Sequence, residues 1–280
     1  MSSFVTGDGR THMPSGLMRE SLVSKTLIAA TEGGRVRPMV PGVKFIAIGG
    51  QSIMDRGALV LLPLVEAIAA LAKRHKMVIG VSGGSRSRHT LAIGLDLGLP
   101  IGGLARIVGS IEEQNRNILQ FLLAPHGGIT FIKEHFQDLS MFLAGGLIPV
   151  CIGQPPYHFW EPPPEQGRLP ENGADVGLFL MAELIGAEHM VFVKDVDGVY
   201  DADPRKHPGA RRMAEVTAAE LLAMNLPDLP VERELLHCIE RSRLLDRCRL
   251  IDGREPALLA RSLDGEAVGT LIRASTRGRP

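Results

Sequence analysis

The amino-acid sequence predicts an α/β protein, a three-layer αβα sandwich built around a mainly parallel sheet. Short runs that are almost wholly apolar alternate along the chain with longer segments of helical spacing. Strands that are apolar on both faces are typical of parallel sheets covered by helices on either side. Gly-containing turns follow three of these runs, as expected at strand-to-helix connections. With 280 residues the chain is long enough to bury the core of such a sandwich.

The first elements form two strand–helix units. Val43–Ile48 is the first predicted strand, and the spacing of apolar residues from Leu61 to Ala72 predicts a helix with one apolar face. Pro63 is expected near the first turn of that helix, where proline is tolerated. Met77–Val81 predicts the second strand, and the helix after it should stop at Gly98.

The later elements repeat the same alternation. A capping box at Thr217–Glu220 predicts the start of a short helix. Gln154–Asn172 contains six prolines, which excludes a helix or a central strand and indicates a surface excursion or a flap. The remaining predicted strands are Ile129–Ile132, Leu147–Ile152, Met190–Val193, Arg249–Ile251 and Val268–Ile272, and the remaining helices lie around Ile118–Leu123, Leu178–Ile185 and Glu232–Asp246.

The balanced charge composition indicates that any anion-binding site of this protein is local. The chain has 31 basic and 31 acidic side chains, so no global field attracts nucleic acid or an anionic membrane. Its three cysteines include no C-x-x-C pair, which argues against a disulfide framework or a structural zinc site and favours a reducing cytoplasm. No apolar run reaches the roughly 18 residues of a membrane helix, and the N-terminus lacks the apolar core of a signal peptide.

We expect three regions within one continuous fold. Residues 1–40 are predicted to be a polar arm, in which a helix around Leu17–Ala30 is an option. Residues 41–188 and residues 189–280 are predicted to form the two lobes of this fold.

Three glycine turns are candidate phosphate-binding elements. They are Gly49-Gly50, Gly83-Gly84 and Asp197-Gly198, and each follows an apparent strand. In open α/β sheets, ligands bind beyond the carboxyl ends of the strands, where glycine lets backbone N–H groups approach phosphate oxygens. Close packing of a helix on a strand is the alternative reason for glycine at such turns. Neither a P-loop nor a G-x-G-x-x-G pattern occurs there.

Charged residues near these turns are candidate oxyanion and metal contacts. Arg86, Arg88 and His89 stand at the predicted start of a helix, where a basic cluster suits a tetrahedral oxyanion. The alternative is a solvated first turn. Asp175 either orients Mg²⁺ or an incoming group, or is an acidic residue favoured by the helix dipole. We expect Gln114 and Asn115 on a helix surface or at an interface, and we expect Asp201 and Asp203 to shape a turn.

Lys194–Pro204, read as K-D-V-D-G-V-Y-D-A-D-P, is the most specific segment. It resembles the nucleotide-binding segment of the amino-acid-kinase superfamily, best known in bacterial uridylate kinases. Val268–Ile272 and Gly173-Ala174-Asp175 are similar to the closing strand and a helix start of that family. The resemblance implies the carbamate-kinase-like fold, Mg²⁺ and ATP as cofactors, and Asp175 and Lys194 as catalytic residues. The ATP contacts that it implies are Gly49, Gly50, Gly83, Gly84, Arg86, Lys194, Asp195, Asp197, Gly198, Tyr200, Asp203 and Pro204.

A narrower resemblance is to the molybdenum storage family, which is related to the uridylate kinases. It rests on motifs such as Ile48–Ser52, Asp55–Gly57, Gly94–Pro100 and Pro155–Tyr157. It implies a cytoplasmic hexamer, homo- or hetero-oligomeric and built as a trimer of dimers, that binds ATP and collects molybdate or tungstate as polyoxometalate clusters. Glu134, His135 and His158 match positions that hold the clusters in that family. For the two histidines, ordinary half-exposed residues are the alternative.

Ala47 departs from the kinase pattern. The family's first strand ends in K-I-G-G, and this chain has Ala47-Ile48-Gly49-Gly50 instead. Ala47 cannot supply charge to a phosphoryl-transfer transition state. Lys44 stands three residues earlier, which on a strand is the opposite face. A storage subunit with uncertain ATPase activity is therefore the first hypothesis, and a uridylate-kinase-like phosphotransferase or a catalytically inactive regulatory subunit are the alternatives.

Overall fold

The computed structural model describes residues 4–5, 11–12, 37–153, 173–204 and 206–275, without the side chains of residues 4, 5, 11, 12, 133 and 134. The chain divides into two compact units, Met1–Arg37 and Pro38–Pro280. In the first unit, strands β1 (Phe4–Val5) and β2 (Thr11–His12) pair antiparallel. The helix considered around Leu17–Ala30 and the proline-rich stretch at 154–172 lie outside the described residues.

The second unit contains an eight-stranded sheet and a separate two-stranded ladder. The sheet strands are β3 (Lys44–Ile48), β4 (Met77–Val81), β5 (Gly128–Thr130), β6 (Ile148–Ile152), β7 (His189–Lys194), β10 (Glu215–Thr217), β11 (Arg247–Asp252) and β12 (Thr270–Arg273). Their order across the sheet is β10-β12-β11-β7-β3-β4-β6-β5. The ladder pairs β8 (Val199–Tyr200) with β9 (Arg212–Met213) in antiparallel fashion.

The sheet is mainly parallel, as predicted. Neighbouring strands from β11 to β5 all run in the same direction. Strand β12 is antiparallel to β11, and β10 runs parallel to β12, so the reversed pair lies at one edge. The parallel strands therefore end at a common edge, where the turns after β3, β4 and β7 meet.

Eight α-helices connect the strands in the described part of the chain. They are α1 (Ala58–Ala72), α2 (Ser85–Asp96), α3 (Ile101–Leu123), α4 (Leu139–Ala144), α5 (Ala174–Ile185), α6 (Ala218–Met224), α7 (Arg233–Arg241) and α8 (Ala257–Leu263). Short 3₁₀ segments are present at Met54–Arg56, Ala124–His126 and Lys133–Asp138. Within the described residues, none of the helices is both long enough and apolar enough to cross a bilayer.

Two apolar cores lie on opposite faces of the sheet. Alternate residues of β3 divide between them, with Ile46 and Ile48 on one face and Phe45 and Ala47 on the other. The first face packs against α1, α3 and α8, and the second against α4, α5, α6 and α7. This arrangement is the predicted three-layer αβα sandwich.

Most predicted elements are present, and two differ instructively. Pro63 lies inside α1 rather than in its first turn, because the helix already begins at Ala58. Helix α7 ends at Arg241, well before the predicted Asp246. Ser242 adopts an extended backbone with ψ of 150°, and the Glu183 carboxylate accepts the backbone N–H groups of Arg243–Leu245 that a longer helix would have used. The predicted capping box is present, since Thr217 and Glu220 bond reciprocally at the start of α6.

Candidate functional site

A cavity of about 1160 Å³ opens at the carboxyl ends of β3, β4 and β7. Its walls are the turns after these strands, the first residues of α5 and the loop at 226–232. This is the place at which an open α/β sheet binds its ligand. The predicted site residues that line it are Gly49, Gly50, Gly84, Asp175, Lys194, Asp195, Asp197, Gly198, Tyr200, Asp203 and Pro204. Gly83 and Arg86 are not among the lining residues.

The turns at Gly49-Gly50 and Gly83-Gly84 pack directly against one another at the floor of this cavity. The Gly50 N–H donates to the Ser82 hydroxyl at 2.7 Å. A Cβ atom on Gly50 would lie 2.2 Å from the backbone nitrogen of Gly84, so only glycine allows this approach. Gly84 itself has φ of 76°, a left-handed conformation that L side chains rarely adopt. The glycines therefore serve backbone packing as well as access for a ligand.

Asn115 stabilises the second of these turns, at Gly83-Gly84, through its side-chain amide. Its side-chain amide donates to the carbonyl groups of Ser82 and Gly83, at 2.8 and 3.0 Å. Asn115 is buried on α3, so the expectation of a helix-surface or interface residue is wrong for it. Its role is to satisfy buried carbonyl groups of the turn.

The two arginines of α2 have different environments. The Arg86 guanidinium donates to the side-chain oxygens of Gln114 and Asn115 and borders a second cavity of about 370 Å³. Arg88 lines the main cavity, and its guanidinium makes no hydrogen bond or ion pair with the described part of the chain. His89 is exposed. The structure thus brings Arg88, and not Arg86, to the glycine turns.

Two further arginines line the cavity, and each forms an ion pair with a carboxylate of this chain. Arg56 donates to Asp195 at 2.5 Å and to the Ser52 carbonyl oxygen at 2.8 Å. Arg254 forks onto Asp252, and this hydrogen bonding raises the pKa of Arg254. Sequence reasoning did not single out Arg254. Its signal is the Asp252-x-Arg254 spacing at the end of β11, which holds the guanidinium beside the cavity.

Asp175 and Lys194, the predicted catalytic pair, contact one another directly. The Lys194 ammonium lies 2.7 and 2.9 Å from the two carboxylate oxygens of Asp175. Both side chains are largely buried, and the ammonium lies 5.8 Å from the centre of the Phe192 ring. Asp175 therefore holds Lys194 in place, a role that neither sequence interpretation of Asp175 included.

Glu232 joins this corner of the cavity from the loop before α7. Its carboxylate accepts hydrogen bonds from the backbone N–H groups of Gly173, Asp175 and Val176, at 2.9, 3.2 and 3.1 Å. Burial, followed by repulsion from the Asp175 carboxylate, raises the pKa of Glu232. Glu232 is 57 residues from Asp175 in sequence. No local pattern marks it as a site residue.

The segment after β7 forms the opposite wall. The Tyr200 hydroxyl donates to the Asp197 carboxylate, at 3.0 and 3.1 Å from its two oxygens. Partial burial and this hydrogen bond raise the pKa of Tyr200. Asp201 and Asp203 shape the turn as expected: Asp201 accepts from the Arg211 N–H, and the Asp203 carbonyl accepts from the N–H groups at 206 and 207.

Ala47 is buried on β3 between Gly80 and Phe192 of the neighbouring strands. It faces the layer that contains α5. Helix α5 packs tightly there, since a Cβ atom on Gly80 would lie 2.2 Å from Leu178. Lys44 instead pairs with Glu188 at the opposite end of β3, with 3.0 Å between the charged atoms. It does not replace the family's lysine.

The model of the Amino acid kinase family matches residues 42–235. The chain belongs to this family. It is 37% identical over 259 residues to the molybdenum storage protein subunit beta of Azotobacter vinelandii, an alignment that covers 92% of this chain and 96% of that protein. It is 27% identical over 235 residues to the uridylate kinase of Methanothermobacter thermautotrophicus, covering 81% of this chain and 97% of the relative.

Solved structures of uridylate kinases share the fold. The enzyme of Archaeoglobus fulgidus aligns with a TM-score of 0.64 at 21% identity, covering 82% of this chain and 99% of that one. The UMP kinase of Bacillus anthracis aligns with a TM-score of 0.65 at 18% identity, covering 86% of this chain and 98% of that one. The predicted amino-acid-kinase fold is therefore confirmed.

The predicted cluster ligands are only partly described. His135 lies in the 3₁₀ segment after β5, where its ring packs edge-on against Phe142 at 5.9 Å. Its Nδ1 is buried and makes no hydrogen bond within the described structure. The Glu134 side chain and the whole of His158 lie outside the described residues. Within those residues, no group of three or more His, Cys, Asp or Glu side chains is placed to hold a metal ion.

Proposed function

We propose that this protein is an ATP-binding subunit of a molybdenum storage-like oligomer that collects molybdate or tungstate as polyoxometalate clusters. One observation carries the proposal: the 37% identity to a molybdenum storage subunit spans 92% of this chain. The alignment therefore extends beyond residues 42–235, the part that the chain shares with the kinase family as a whole. The position of Ala47, where the kinase pattern has lysine, agrees with a role other than rapid phosphoryl transfer.

The cavity supports a defined orientation of the nucleotide. Adenine and ribose bind along Lys194–Pro204, and the phosphates extend toward Gly49, Gly50 and Gly84. These turns lie next to the start of α2, where the helix dipole favours an anion. Residues 41–188 then supply the oxyanion side, and residues 189–280 the nucleoside side.

The charges of the site favour binding over transfer. Arg88 supplies a guanidinium that can fork onto two phosphate or molybdate oxygens. Lys194, Arg56 and Arg254 each have a carboxylate partner, so much of their charge is already neutralised. A kinase depends on fixed positive charge at the transferred phosphoryl group, and Ala47 removes one such charge.

Mg²⁺ enters this proposal with the nucleotide. Proteins commonly hold Mg²⁺ through one or two carboxylates together with substrate phosphates and water. Asp175 and Asp195 border the cavity, but each is already paired with a cation. Either carboxylate could contact Mg²⁺ only while it also keeps its ion pair with Arg56 or Lys194. Glu134, His135 and His158 are the proposed contacts of the oxometalate cargo.

The proposed assembly is a cytoplasmic hexamer built as a trimer of dimers, either of this chain alone or with a second related subunit. Large apolar side chains exposed on α1 and α3 support association. Leu59 is 91% exposed and Phe121 70% exposed. Apolar side chains that cluster on a surface commonly mark an interface with another chain.

Elemental analysis and nucleotide assays test this function together. The protein is purified from cells grown with molybdate or tungstate, and metal content is measured per chain alongside UMP phosphorylation. We expect several metal atoms per chain and no UMP-dependent ATP turnover. Turnover with UMP at kinase-like rates, lost in Asp175→Ala, would replace the storage proposal with a uridylate-kinase-like function. Nucleotide binding with neither metal nor turnover would favour an inactive regulatory subunit.

A further inference from the structure

Glu232 places a carboxylate on the helix end that faces the nucleotide cavity. Three backbone N–H groups at the start of α5 donate to it. Such N–H groups carry the positive end of the helix dipole and bind anions, including phosphate. In this chain the anion that they bind is a side chain of the protein itself.

The position of Glu232 is fixed by close packing. A Cβ atom on Gly173 would lie 2.5 Å from a carboxylate oxygen of Glu232, so the carboxylate occupies the space that the absent side chain leaves. Glu232 precedes α7, yet its side chain makes no cap bond with that helix. The side chain therefore serves α5 and the cavity rather than the helix that it begins.

The charges around Glu232 are not balanced. Asp175 lies next to it on α5, and Lys194 is the ammonium bound to Asp175. Two carboxylates and one ammonium give this corner a formal charge of −1. An arriving phosphate group would meet this charge at short range, where partial burial reduces screening by water and salt.

We propose that Glu232 determines nucleotide specificity by competing with the terminal phosphates for the N-terminus of α5. The inference rests on the proposed nucleotide orientation, which directs the phosphates toward Gly49. The Lys194 side chain packs beside Gly49, where a Cβ atom would lie 3.2 Å from its Cδ, and its ammonium reaches Asp175 at the start of α5 at 2.7 Å. Each additional phosphate brings more negative charge toward Glu232 and Asp175. The carboxylate thus lowers the affinity for ATP more than for ADP, and the affinity for ADP more than for AMP.

A purely structural cap would behave differently, and Glu183 provides the comparison. The Glu183 carboxylate also accepts three consecutive backbone N–H groups, those of Arg243–Leu245, at 2.5–2.9 Å. It is on the same helix, α5, but does not line the nucleotide cavity. Loss of either charge should weaken the fold, but only the change at Glu232 should alter nucleotide preference.

The test is Glu232→Gln, measured by calorimetric titration of the full chain with ATP, ADP and AMP at fixed free Mg²⁺. Glutamine keeps an acceptor oxygen and removes the charge. We expect the affinity for ATP to increase about tenfold relative to that for AMP, equivalent to about 1.4 kcal/mol. Glu183→Gln is the matched control and should leave the ratio of the two affinities unchanged.

Glu232→Asp separates charge from shape. It keeps the carboxylate on a side chain shorter by one methylene group, so the preference should stay near that of the unmodified chain. An unchanged ATP-to-AMP ratio in Glu232→Gln, or an equal shift in Glu232→Asp, overturns the competition. If the unmodified chain binds no adenine nucleotide, the proposed function itself fails. If it binds them and only the ratio is insensitive to Glu232, this inference alone fails.

Discussion

Two helices begin at the same cavity. Each has a carboxylate bound to its N-terminal N–H groups, and they differ in the cation that lies beside that carboxylate. At α2, the Asp55 carboxylate accepts the N–H of Ser85 at 2.7 Å. Arg88, one turn later, lines the cavity, and its guanidinium has no partner among the described residues. At α5, Glu232 accepts three N–H groups, and Asp175 engages the nearby Lys194. Both helix starts are therefore capped by an anion. Beside the first, the Arg88 guanidinium has no partner among the described residues, whereas the cation near the second, Lys194, is paired with Asp175.

Ala47 adds a second departure from a ring of positive charge, since it stands where the kinase pattern has lysine while the chain keeps the family fold. Phosphoryl transfer requires positive groups on all sides of the moving phosphate. Here the α2 side retains that character, and the α5 side and Ala47 do not provide it. The proposed function follows this asymmetry, with an oxyanion held on the α2 side and no phosphoryl group transferred.

The largest expected effect comes from breaking the ion pair at the α5 side. Lys194→Met leaves the buried Asp175 carboxylate without its ammonium, which should cost about 3–5 kcal/mol of unfolding free energy. Urea denaturation measures this. The double variant Asp175→Asn with Lys194→Met should regain much of the loss. An unchanged urea midpoint in the single variant would show that the pair contributes little.

The second test concerns the cation at the α2 side. Arg88→Gln should weaken ATP binding at least about tenfold, because a charge-assisted hydrogen bond contributes roughly 1.5–3 kcal/mol. Arg86→Gln is the control, since it removes the same group two residues earlier, where Gln114 and Asn115 hold it away from the cavity. Calorimetric titration compares the two. Equal losses of affinity would contradict the difference between these arginines.

The third test restores a lysine between the two helix starts. Ala47→Lys should raise ATP hydrolysis about tenfold, because it returns a cation to the phosphates. The tight packing at Gly80 and Leu178 should cost roughly 1–3 kcal/mol of stability. Ala47→Met adds comparable length without charge and should lose stability with no gain in rate. If hydrolysis per folded chain stays unchanged, the missing lysine is not what limits this chemistry.

The smallest expected effect is at the Asp55 cap of α2. Asp55→Ala should lower the unfolding free energy by about 1 kcal/mol, the usual value for a lost helix cap. Asp55→Asn keeps an acceptor and should lose less. Thermal unfolding of the three proteins measures the order. If Asp55→Ala lowered the unfolding free energy as much as Lys194→Met does, the proposed contrast between the two helix starts would be wrong.

The fold was largely predictable because its strands carry an unambiguous signal. Strands β3, β4, β7 and β11 are short apolar runs that end in glycine or charged turns, and each lies within two residues of its predicted bounds. Helix ends were harder to predict. The end of α7 depends on Glu183, which is far away in sequence and accepts the N–H groups beyond the helix.

The site was predictable where its residues are consecutive, and less so where they come from distant parts of the chain. Lys194–Pro204 could be identified as one segment. The choice between Arg86 and Arg88 depends on Gln114 and Asn115, some 28 residues later, because these amides hold only the first arginine. The role of Glu232 depends on three N–H groups more than 55 residues away. Such partnerships are set by the packing of helices, which a local pattern does not encode.

The contact between Gly50 and Gly84 has a mechanical consequence. With only hydrogen atoms between their backbones, the loops after β3 and β4 cannot slide past or separate from one another without breaking the bond from Gly50 to Ser82. Since Asn115 fastens the second loop to the 23-residue helix α3, the floor of the cavity is rigidly joined to the outer surface that carries Phe121. A displacement of helix α3 would therefore be transmitted through Asn115 to the turn at Ser82 and Gly83.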